Sequence, residues 1–508
     1  MLSNWSDYFL GVSDRGMRVG SPSVGSTFRG EIREIVSEFL NTGLAWDHIE
    51  ELCRREGVEF VFCSPEFSDR VKNCESVKEV FTFGPGPKGT VEARTLYEDD
   101  ESNFPDQSGI RPGSDLAAIF FTSGTTGPPK TIEHTHASII AGCLNVNRSG
   151  PGPVQVGIIL GGVSCEAFDY LKGGTGPAGQ WQSGARSVRT VCPYHFALIS
   201  GYMTSVLSLL GGVHLVFAPA VRFRSLLAAI QRFEPSVLSV TPREMTSLAR
   251  SDETAEFKLD SLTAVSYGGT HLGKVVRDRL KMKFPNVKAF VEVYASTEAV
   301  GLAGTYFGMI GDKEGSVGPL APFTEAKVVK PETWEALGPG EKGELCYRTP
   351  ALMRGYRSPA GLTQEVIHED GFYRSGDYGY IDEDGYVYIV DRVKELIPVS
   401  SEDGKSIVLV SPSEIEDCLY QHPDVERVGV TGIPVSAETP DTQVPWAFVQ
   451  LKNQRSKSTE TAKELQDFVS RRLSEELWLK GGVAFLDEVP LTPAGKVKRR
   501  ELQVLSRA

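Results

Sequence analysis

Helical and strand-like hydrophobic patterns alternate along much of this chain. Residues 225–233 (SLLAAIQRF) place apolar side chains at helical spacing, Pro235 ends that segment, and a β-branched run, VLSVT, begins at Val237. Similar alternations occur near residue 262, at residues 272–294 and at residues 413–433. Units of this kind bury their apolar faces in sheets flanked by helices, so the pattern predicts an α/β fold with parallel or mixed sheets.

Three other stretches change this pattern. Residues 338–388 contain short strands separated by Gly, Pro and Asp-Gly turns, which predicts an antiparallel, β-rich section. Residues 202–221 are apolar enough to suggest a membrane span, but two glycines and a proline interrupt them. We therefore expect a buried helix that ends at the glycines and a short strand after it. A further helix is expected near residues 464–477, after an exposed polar connection.

The composition limits the possible functions. With 508 residues, 40% of them hydrophobic, the chain is long enough for two or more domains with substantial cores. Acidic residues outnumber Lys and Arg by 66 to 53, and the net charge of -13 argues against a protein that coats nucleic acid, although a local basic site for one small anion is compatible with it.

The cysteines and the sequence signals indicate a compartment. Eight cysteines without a Cys-x-x-Cys pair predict scattered, reduced thiols. We identify no secretory signal or transit peptide, and the final Ser-Arg-Ala is not the peroxisomal Ser-Lys-Leu address. The sequence therefore predicts a cytoplasmic protein without a membrane span.

The most informative segment for chemistry is residues 122–130, TSGTTGPPK, which follows the apolar run LAAIFF, an expected strand. Its hydroxyl residues, glycines and lysine supply backbone N–H groups, hydroxyl donors and a positive charge that suit phosphate oxygens. It is not a Walker A loop, because Pro129 precedes Lys130 and disfavours helical angles at Pro128. We expect a phosphate loop that does not lead into a helix, with a plain surface turn as the alternative.

Further motifs follow this loop. They are TxEHTH at 131–136, CPYH at 192–195, YGGTHLG at 267–273, VYASTEA at 293–299, GELCYRTPALMRGY at 343–356, YRSGDYGYIDEDGYVYIVDRVKELI at 373–397, SPSEIE at 411–416 and PLTPAGKVKRREL at 490–502. In this order, the motifs resemble the adenylate-forming (AMP-binding) superfamily, in the branch of acyl-CoA synthetases, coumaroyl-CoA ligases and luciferases. The resemblance spans residues 115–502.

The resemblance implies a role for each matching residue. The implied nucleotide-binding residues are Thr122, Ser123, Gly124, Thr125, Thr126, Gly127, Lys130, Gly268, Gly269, Thr270, Tyr294, Asp377 and Arg392. The implied catalytic residues are Lys496, Thr297 and Glu298, and Glu298 would also hold Mg²⁺. The implied acyl pocket contains His195, Val293 and Ala295, and Lys394 is the implied hinge.

Several of these residues also have ordinary structural interpretations. A Thr-Glu pair such as Thr297-Glu298 usually begins a helix, and Asp377 in a Ser-Gly-Asp sequence resembles a turn cap. His195 is compatible with a satisfied structural histidine. Lys496 would otherwise be a solvated lysine, and its neighbours, Lys498, Arg499 and Arg500, are expected to be solvated.

The resemblance also implies a domain division. Residues 1–393 would form the N-terminal AMP-binding domain, with αβ-layered subdomains, the first of them shortened, and a β-rich subdomain. Residues 394–508 would form a small α+β lid domain that moves about Lys394, so that two half-reactions share one site.

The function implied is ATP-dependent activation of a fatty or aromatic carboxylic acid to acyl-AMP, with release of pyrophosphate, followed by thioester formation with CoA. ATP, Mg²⁺, CoA and a small carboxylate are the expected ligands, nucleic acid is not, and the sequence predicts no oligomeric state. Two segments depart from the family pattern. Val293-Tyr294-Ala295 replaces the usual Gly-Tyr-Gly, and residues 398–410 replace a shorter turn of the CoA channel. The alternatives are a luciferase-like or other-acceptor enzyme, and a catalytically degenerate binding protein.

Overall fold

The computed structural model describes residues 9–14, 35–40, 50–51, 53–55, 57–93, 95, 111–121, 130–147, 189–194, 198–210, 213–217, 223–268, 274–305, 313–358, 361–401, 406–435, 442–452, 457–491 and 497–506. These residues pack into two compact units. The large unit contains the described residues up to Glu325 together with Tyr347–Tyr373, and the small unit contains Ala326–Cys346 and the described residues from Arg374 onward. The division at residues 393 and 394, with its hinge, stays a prediction.

The secondary structure mixes strands and helices throughout. The strands are β1 Phe9–Asp14, β2 Ile35–Leu40, β3 Val58–Cys63, β4 Glu79–Thr82, β5 Val91–Glu92, β6 Leu116–Phe121, β7 Thr131–Thr135, β8 Arg189–Cys192, β9 His214–Phe217, β10 Val237–Val240, β11 Ala264–Gly268, β12 Ala289–Ser296, β13 Val300–Gly304, β14 Gly318–Pro319, β15 Glu325–Val329, β16 Gly343–Arg348, β17 Gly355–Ser358, β18 Tyr373–Ile381, β19 Tyr386–Arg392, β20 Ile397–Ser400, β21 Ile407–Val410, β22 Val425–Pro434, β23 Gln443–Leu451 and β24 Gly482–Phe485. The helices are α1 Ser68–Val71, α2 His136–Asn147, α3 Ile199–Leu210, α4 Phe223–Phe233, α5 Pro242–Arg250, α6 Lys274–Lys283, α7 Leu362–Val366, α8 Pro412–Tyr420, α9 Thr459–Ser470 and α10 Arg499–Leu505.

The large unit contains two sheets. The first has the strand order β17-β7-β6-β2-β1-β3-β4-β5, and the second has the order β13-β12-β11-β10-β8-β9. Strands β8 to β12 pair in parallel, and only β13 joins the second sheet antiparallel. The predicted αβ units are confirmed, since α4 is followed by β10 and α6 by β12.

Helix α4 illustrates why these segments fold as predicted. Leu226, Leu227 and Ile230 lie on one face and are buried against Leu238 and Val240 of β10. The helix after this strand, α5, begins with a proline at its first turn and a capping box made by the preceding threonine and Glu244. The run at 202–221 also folds as expected, with α3 ending before the glycines and β9 following them.

The small unit contains β-rich and α+β parts. Strands β19, β18, β16 and β15 lie in that order in one sheet, and β18 pairs antiparallel with β19, as the turn pattern predicts. Strands β22, β23 and β24 form a second sheet covered by α8, α9 and α10. The helix predicted near 464–477 instead begins at Thr459, because Ser458 caps it, and ends at Ser470. The mixed α/β fold class is confirmed.

Two further features bear on the earlier expectations. Among the described helices, none has the combination of length and apolarity that crossing a membrane requires. Seven cysteines are described, and all of them are buried thiols. Burial raises the pKa of Cys63, Cys143 and Cys192 to about 12, so these thiols are poor nucleophiles.

Candidate active site

The structure describes only part of the predicted site. Ten of the predicted residues lie outside the described residues: Thr122, Ser123, Gly124, Thr125, Thr126, Gly127, His195, Gly269, Thr270 and Lys496. The flanks of the predicted phosphate loop are described. Strand β6 enters it and Lys130 leads directly into β7, so the prediction that the loop does not run into a helix is confirmed.

Thr297 and Glu298 lie in the tight turn between β12 and β13, and the helix-start interpretation is wrong. The Ser296 hydroxyl accepts a hydrogen bond from the Ala299 N–H at 3.1 Å, which closes the turn. Val300, the next residue, is buried and has φ of 57°, a left-handed angle that β-branched residues rarely adopt. Such strain costs on the order of 1–3 kcal/mol and is found where the surrounding packing fixes a functional turn.

His134 supports this turn from β7. Its Nε2 lies 2.8 Å from the Thr297 carbonyl oxygen, and its Nδ1 lies 3.0 Å from the Ser138 hydroxyl. Because a carbonyl only accepts, Nε2 carries the proton and donates to Thr297. Complete burial lowers the pKa of His134 to about 4, while its hydrogen bond to Thr297 opposes this shift. The imidazole is therefore neutral at pH 7 and acts as a fixed donor to the turn.

Tyr356 brings two predicted site residues together. Its hydroxyl donates to Oε1 of Glu298 at 2.6 Å, and its ring centroid lies 5.0 Å from the Lys130 ammonium nitrogen. The Met353 N–H also donates to the Glu298 carbonyl at 2.7 Å. A carboxylate is the ligand type that Mg²⁺ prefers, and a lysine suits phosphate, so Glu298 and Lys130 have the chemistry expected of a metal–phosphate site.

The residues predicted to line adenine and the acyl group lie at the ends of β11 and β12. Gly268 pairs with Val293, and a Cβ built on Gly268 would lie 2.4 Å from the Val293 carbonyl oxygen, so this close approach requires glycine. Val293 and Tyr294 are half-buried, whereas Ala295 is exposed. The Tyr294 ring packs against Tyr347, with 5.8 Å between the ring centroids.

The predicted ribose-binding pair lies in the small unit. Asp377 and Arg392 are register partners on β18 and β19, and the guanidinium Nη1 donates to Asp377 Oδ1 at 2.9 Å. Asp377 lies inside a strand and is buried, so the turn-cap interpretation is wrong. Lys394 is exposed in the 3₁₀ turn Val393–Glu395.

A partly buried ionic network lies beside this turn in the small unit. Asp391 accepts from the Ser411 hydroxyl at 2.7 Å, and Glu395 lies 3.2 Å from Arg499. Arg499 is also 3.1 Å from Glu416, and its side chain is only 13% exposed, so the expectation that it is solvated is wrong. Burial raises the pKa of Glu416 to about 7, although Arg499 and the Val430 N–H favour its charged form.

Sequence motifs alone indicate no function for His134, Tyr356 or Arg499. Each lies inside a motif that was recognised, which was the available signal. Their partners are distant in the sequence, as in the contact between Tyr356 and Glu298, 58 positions apart. Local patterns do not report contacts of this kind.

The chain matches two family models and several known proteins. The family model described as AMP-binding enzyme matches residues 34–357, and the one described as AMP-binding enzyme C-terminal domain matches residues 414–496. 4-coumarate--CoA ligase-like 9 of Arabidopsis thaliana is 31% identical to the chain, over 82% of this chain and 68% of that protein. Luciferin 4-monooxygenase of Photuris pensylvanica is 28% identical, over 98% of this chain and 85% of that protein.

A solved structure gives the same fold. ATP-bound MatB from Rhodopseudomonas palustris superposes with a TM-score of 0.72 at 23% identity, over 92% of this chain and 82% of that chain. The fold is that of the adenylate-forming superfamily, in which acyl-CoA ligases and luciferases are relatives. The chain belongs to the AMP-binding enzyme family.

Proposed function

We propose that this protein is an AMP-forming acyl-CoA ligase that activates a fatty or aromatic carboxylic acid with ATP. The observation that carries the proposal is that Lys130 and Glu298, which belong to two different motifs of the family, both contact one tyrosine, Tyr356. A cation suited to phosphate and a carboxylate suited to Mg²⁺ in one place match the charge distribution of ATP with its metal.

The chemistry explains why both charges are required. One oxygen of the substrate carboxylate attacks the α-phosphorus of ATP, the bond to the bridging oxygen of the β-phosphate breaks, and pyrophosphate leaves. Negative charge accumulates around the α-phosphorus as two anions meet, so fixed donors there lower the barrier. Mg²⁺, when bound, neutralises part of that charge.

Each predicted residue has a place in this reaction. Lys130 and the loop from Thr122 to Gly127 would bind the β- and γ-phosphates, Thr297 would contact the α-phosphate, and Glu298 would hold Mg²⁺. Tyr294 and the turn at 268–270 line adenine, and Asp377 and Arg392 bind the ribose. Lys496 supplies the cation between the substrate carboxylate and the α-phosphate. His195, Val293 and Ala295 border the acyl group.

The second half-reaction is the finer part of the proposal. The CoA thiol loses its proton and attacks the acyl carbon, the carboxyl oxygen leaves with AMP, and a thioester forms. In the proposed mechanism, residues 394–508 turn about Lys394 between the two steps. The CoA ligase relative supports this acceptor.

An acceptor other than CoA is a second candidate, and one region of the chain favours it. The described part of residues 398–410, which depart from the family pattern, includes strands of the antiparallel pair β20–β21, in which Pro398 is opposite Leu409. Pro398 lacks the backbone donor and the positive charge that a lysine would offer to an anionic cofactor. The luciferin monooxygenase relative is a family member whose name indicates a different reaction.

A panel of carboxylic acids, scored for pyrophosphate release with and without CoA, tests the proposal. Aliphatic acids of increasing length and substituted cinnamic and benzoic acids are compared with a no-acid control and with the Lys496→Ala variant. We expect pyrophosphate release that requires an acid, is stimulated by CoA and falls ~100–1000-fold in the variant. Release without CoA stimulation would favour another acceptor, and no ATP binding by the wild-type chain would favour a degenerate binding protein.

A further inference from the structure

The uncharged side chain of Tyr356 contacts two groups of opposite charge. The phenol hydroxyl bonds the carboxylate of Glu298, and the ring lies against the ammonium of Lys130. These are two different parts of one side chain, since the hydroxyl is an in-plane donor and the ring attracts cations through its π electrons. A single substitution therefore removes one contact and keeps the other.

The position of this side chain is fixed by its surroundings. Tyr356 is buried with Ile132 and Met353 in a small apolar cluster. Its N–H donates to the Thr363 hydroxyl at 2.8 Å, and it pairs with Ile132 where β17 joins β7. A side chain held by packing, by its own backbone and by a strand partner loses little further freedom when it contacts a ligand-binding group.

We propose that Tyr356 is a positioning residue for the metal–phosphate part of the site, orienting Glu298 through its hydroxyl and Lys130 through its ring. The inference rests on the proposed roles of Glu298 and Lys130. Neither the motifs nor the relatives indicate this role for Tyr356.

The neutrality of tyrosine is the physical reason for this assignment. An arginine in the same place would hold Glu298 but would also cancel the charge that attracts a divalent cation. A carboxylate in the same place would hold Lys130 but would compete with phosphate oxygens for it. The phenol orients both groups and leaves both charges intact, so the site is ordered before ATP and Mg²⁺ arrive.

Titration calorimetry of ATP binding separates the two contacts. Tyr356→Phe keeps the ring and removes the hydroxyl, Tyr356→Leu removes both, and Tyr420→Phe is the control, because Tyr420 is an exposed tyrosine of the small unit. Each protein is titrated with ATP in EDTA and then at increasing Mg²⁺. Circular dichroism establishes that each variant is folded.

We expect Tyr356→Phe to bind ATP in EDTA within about twofold of wild type, but to need about tenfold more Mg²⁺ for half of the metal-dependent gain in affinity, as for losing a hydrogen bond to a charged group. Tyr356→Leu should also bind ATP about threefold more weakly in EDTA, since the cation–π contact is lost. In a Glu298→Gln background, Tyr356→Phe should change the Mg²⁺ requirement no further.

The outcomes that contradict the inference are distinct from those that contradict the proposed function. A wild-type Mg²⁺ requirement in Tyr356→Phe would overturn the role of the hydroxyl. Equal ATP affinity of Tyr356→Phe and Tyr356→Leu in EDTA would overturn the role of the ring. If Tyr356→Leu does not fold, the comparison of Tyr356→Phe with the Glu298→Gln double variant tests the role of the hydroxyl. A wild-type chain that binds no ATP would overturn the proposed function and this inference together.

Discussion

A buried histidine of the large unit and a buried glutamate of the small unit respond to pH in opposite directions. In the large unit, burial lowers the pKa of His134 to about 4 from its ordinary value of 6.5. In the small unit, burial raises the pKa of Glu416 to about 7 from 4.5. The cause is the same, because a low-dielectric interior disfavours charge, but one group is a base and the other an acid.

The linkage between protonation and stability gives each unit its own pH dependence. Neutral His134 contributes to the free energy of unfolding above pH 6.5. This contribution is lost as the pH falls toward 4, because the histidine of the unfolded chain is protonated at a higher pH. Protonated Glu416 contributes to the free energy of unfolding below pH 4.5. This contribution is lost as the pH rises through 7, because the folded chain keeps the proton to a higher pH than the unfolded chain. A single measured stability therefore conceals two opposing trends.

The largest expected effect is at His134. The large unit should lose about 3 kcal/mol of unfolding free energy as the pH falls from 7 to 4, since each pKa unit corresponds to about 1.4 kcal/mol. His134→Gln keeps an N–H donor near the Thr297 carbonyl but does not titrate. Hydrogen exchange across β12 and β13, corrected for intrinsic rates, should show this loss in wild type and not in the variant. An equal loss in both would mean that another group controls the pH response.

The corresponding change in the small unit is Glu416→Gln. In wild type we expect hydrogen exchange in β22 to report a loss of about 2–3 kcal/mol as the pH rises from 4.5 to 7, since each pKa unit corresponds to about 1.4 kcal/mol. The amide keeps an acceptor for the Val430 N–H, so the variant should be nearly flat over this range. Glu501→Gln, on the exposed part of α10, is the matched control and should keep the wild-type slope. A flat wild-type profile would contradict the burial of a titrating Glu416.

Packing of the strained turn gives a third test, confined to the large unit. A Cβ on Gly142 of α2 would lie 2.8 Å from Cγ1 of Val300, so Gly142→Ala should destabilise the large unit by about 1–2 kcal/mol. Gly113→Ala is the control, because a Cβ there would meet no atom within 4 Å. Chemical denaturation at pH 7 compares the two. Equal stability of the variants would mean that Val300 relaxes at no cost.

The smallest effect is expected at an exposed ion pair between β15 and β16. Arg348 lowers the pKa of Glu325 mainly through a hydrogen bond, but both side chains are largely exposed, so water and salt screen their interaction. Glu325→Gln should leave the denaturation midpoint at pH 7 unchanged within error. A shift as large as that of Gly142→Ala would show that surface pairing, and not burial alone, controls stability.

Local patterns predicted the parts of the fold that depend on neighbouring residues. The apolar spacing of 225–233 gave α4 and the following β-branched run gave β10, because both signals lie within one element. The helix predicted near 464–477 had the wrong bounds, since Ser458 at its start was a stronger determinant than the apolar spacing.

The candidate site was predictable only through recognised motifs. Residue type and order indicated Lys130, Glu298 and Asp377, but the contacts of His134, Tyr356 and Arg499 depend on how distant segments pack. Arg499 shows this most clearly: in sequence it belongs to the basic run KVKRR, and in the fold it is half-buried between two glutamates. Burial of such a cation is decided by partners that hydrophobic periodicity does not reveal.

Oxygen labelling tests the central claim, that a carboxylate oxygen attacks the α-phosphorus of ATP. An acid that is active in the panel is labelled with ¹⁸O in both carboxylate oxygens and incubated with the wild-type protein, ATP, Mg²⁺ and CoA, and the products are analysed by mass spectrometry. The proposed reaction transfers one labelled oxygen to AMP and none to pyrophosphate, because the attacking oxygen stays on the α-phosphorus when the acyl group leaves. Unlabelled AMP, or label in pyrophosphate or inorganic phosphate, would contradict the account.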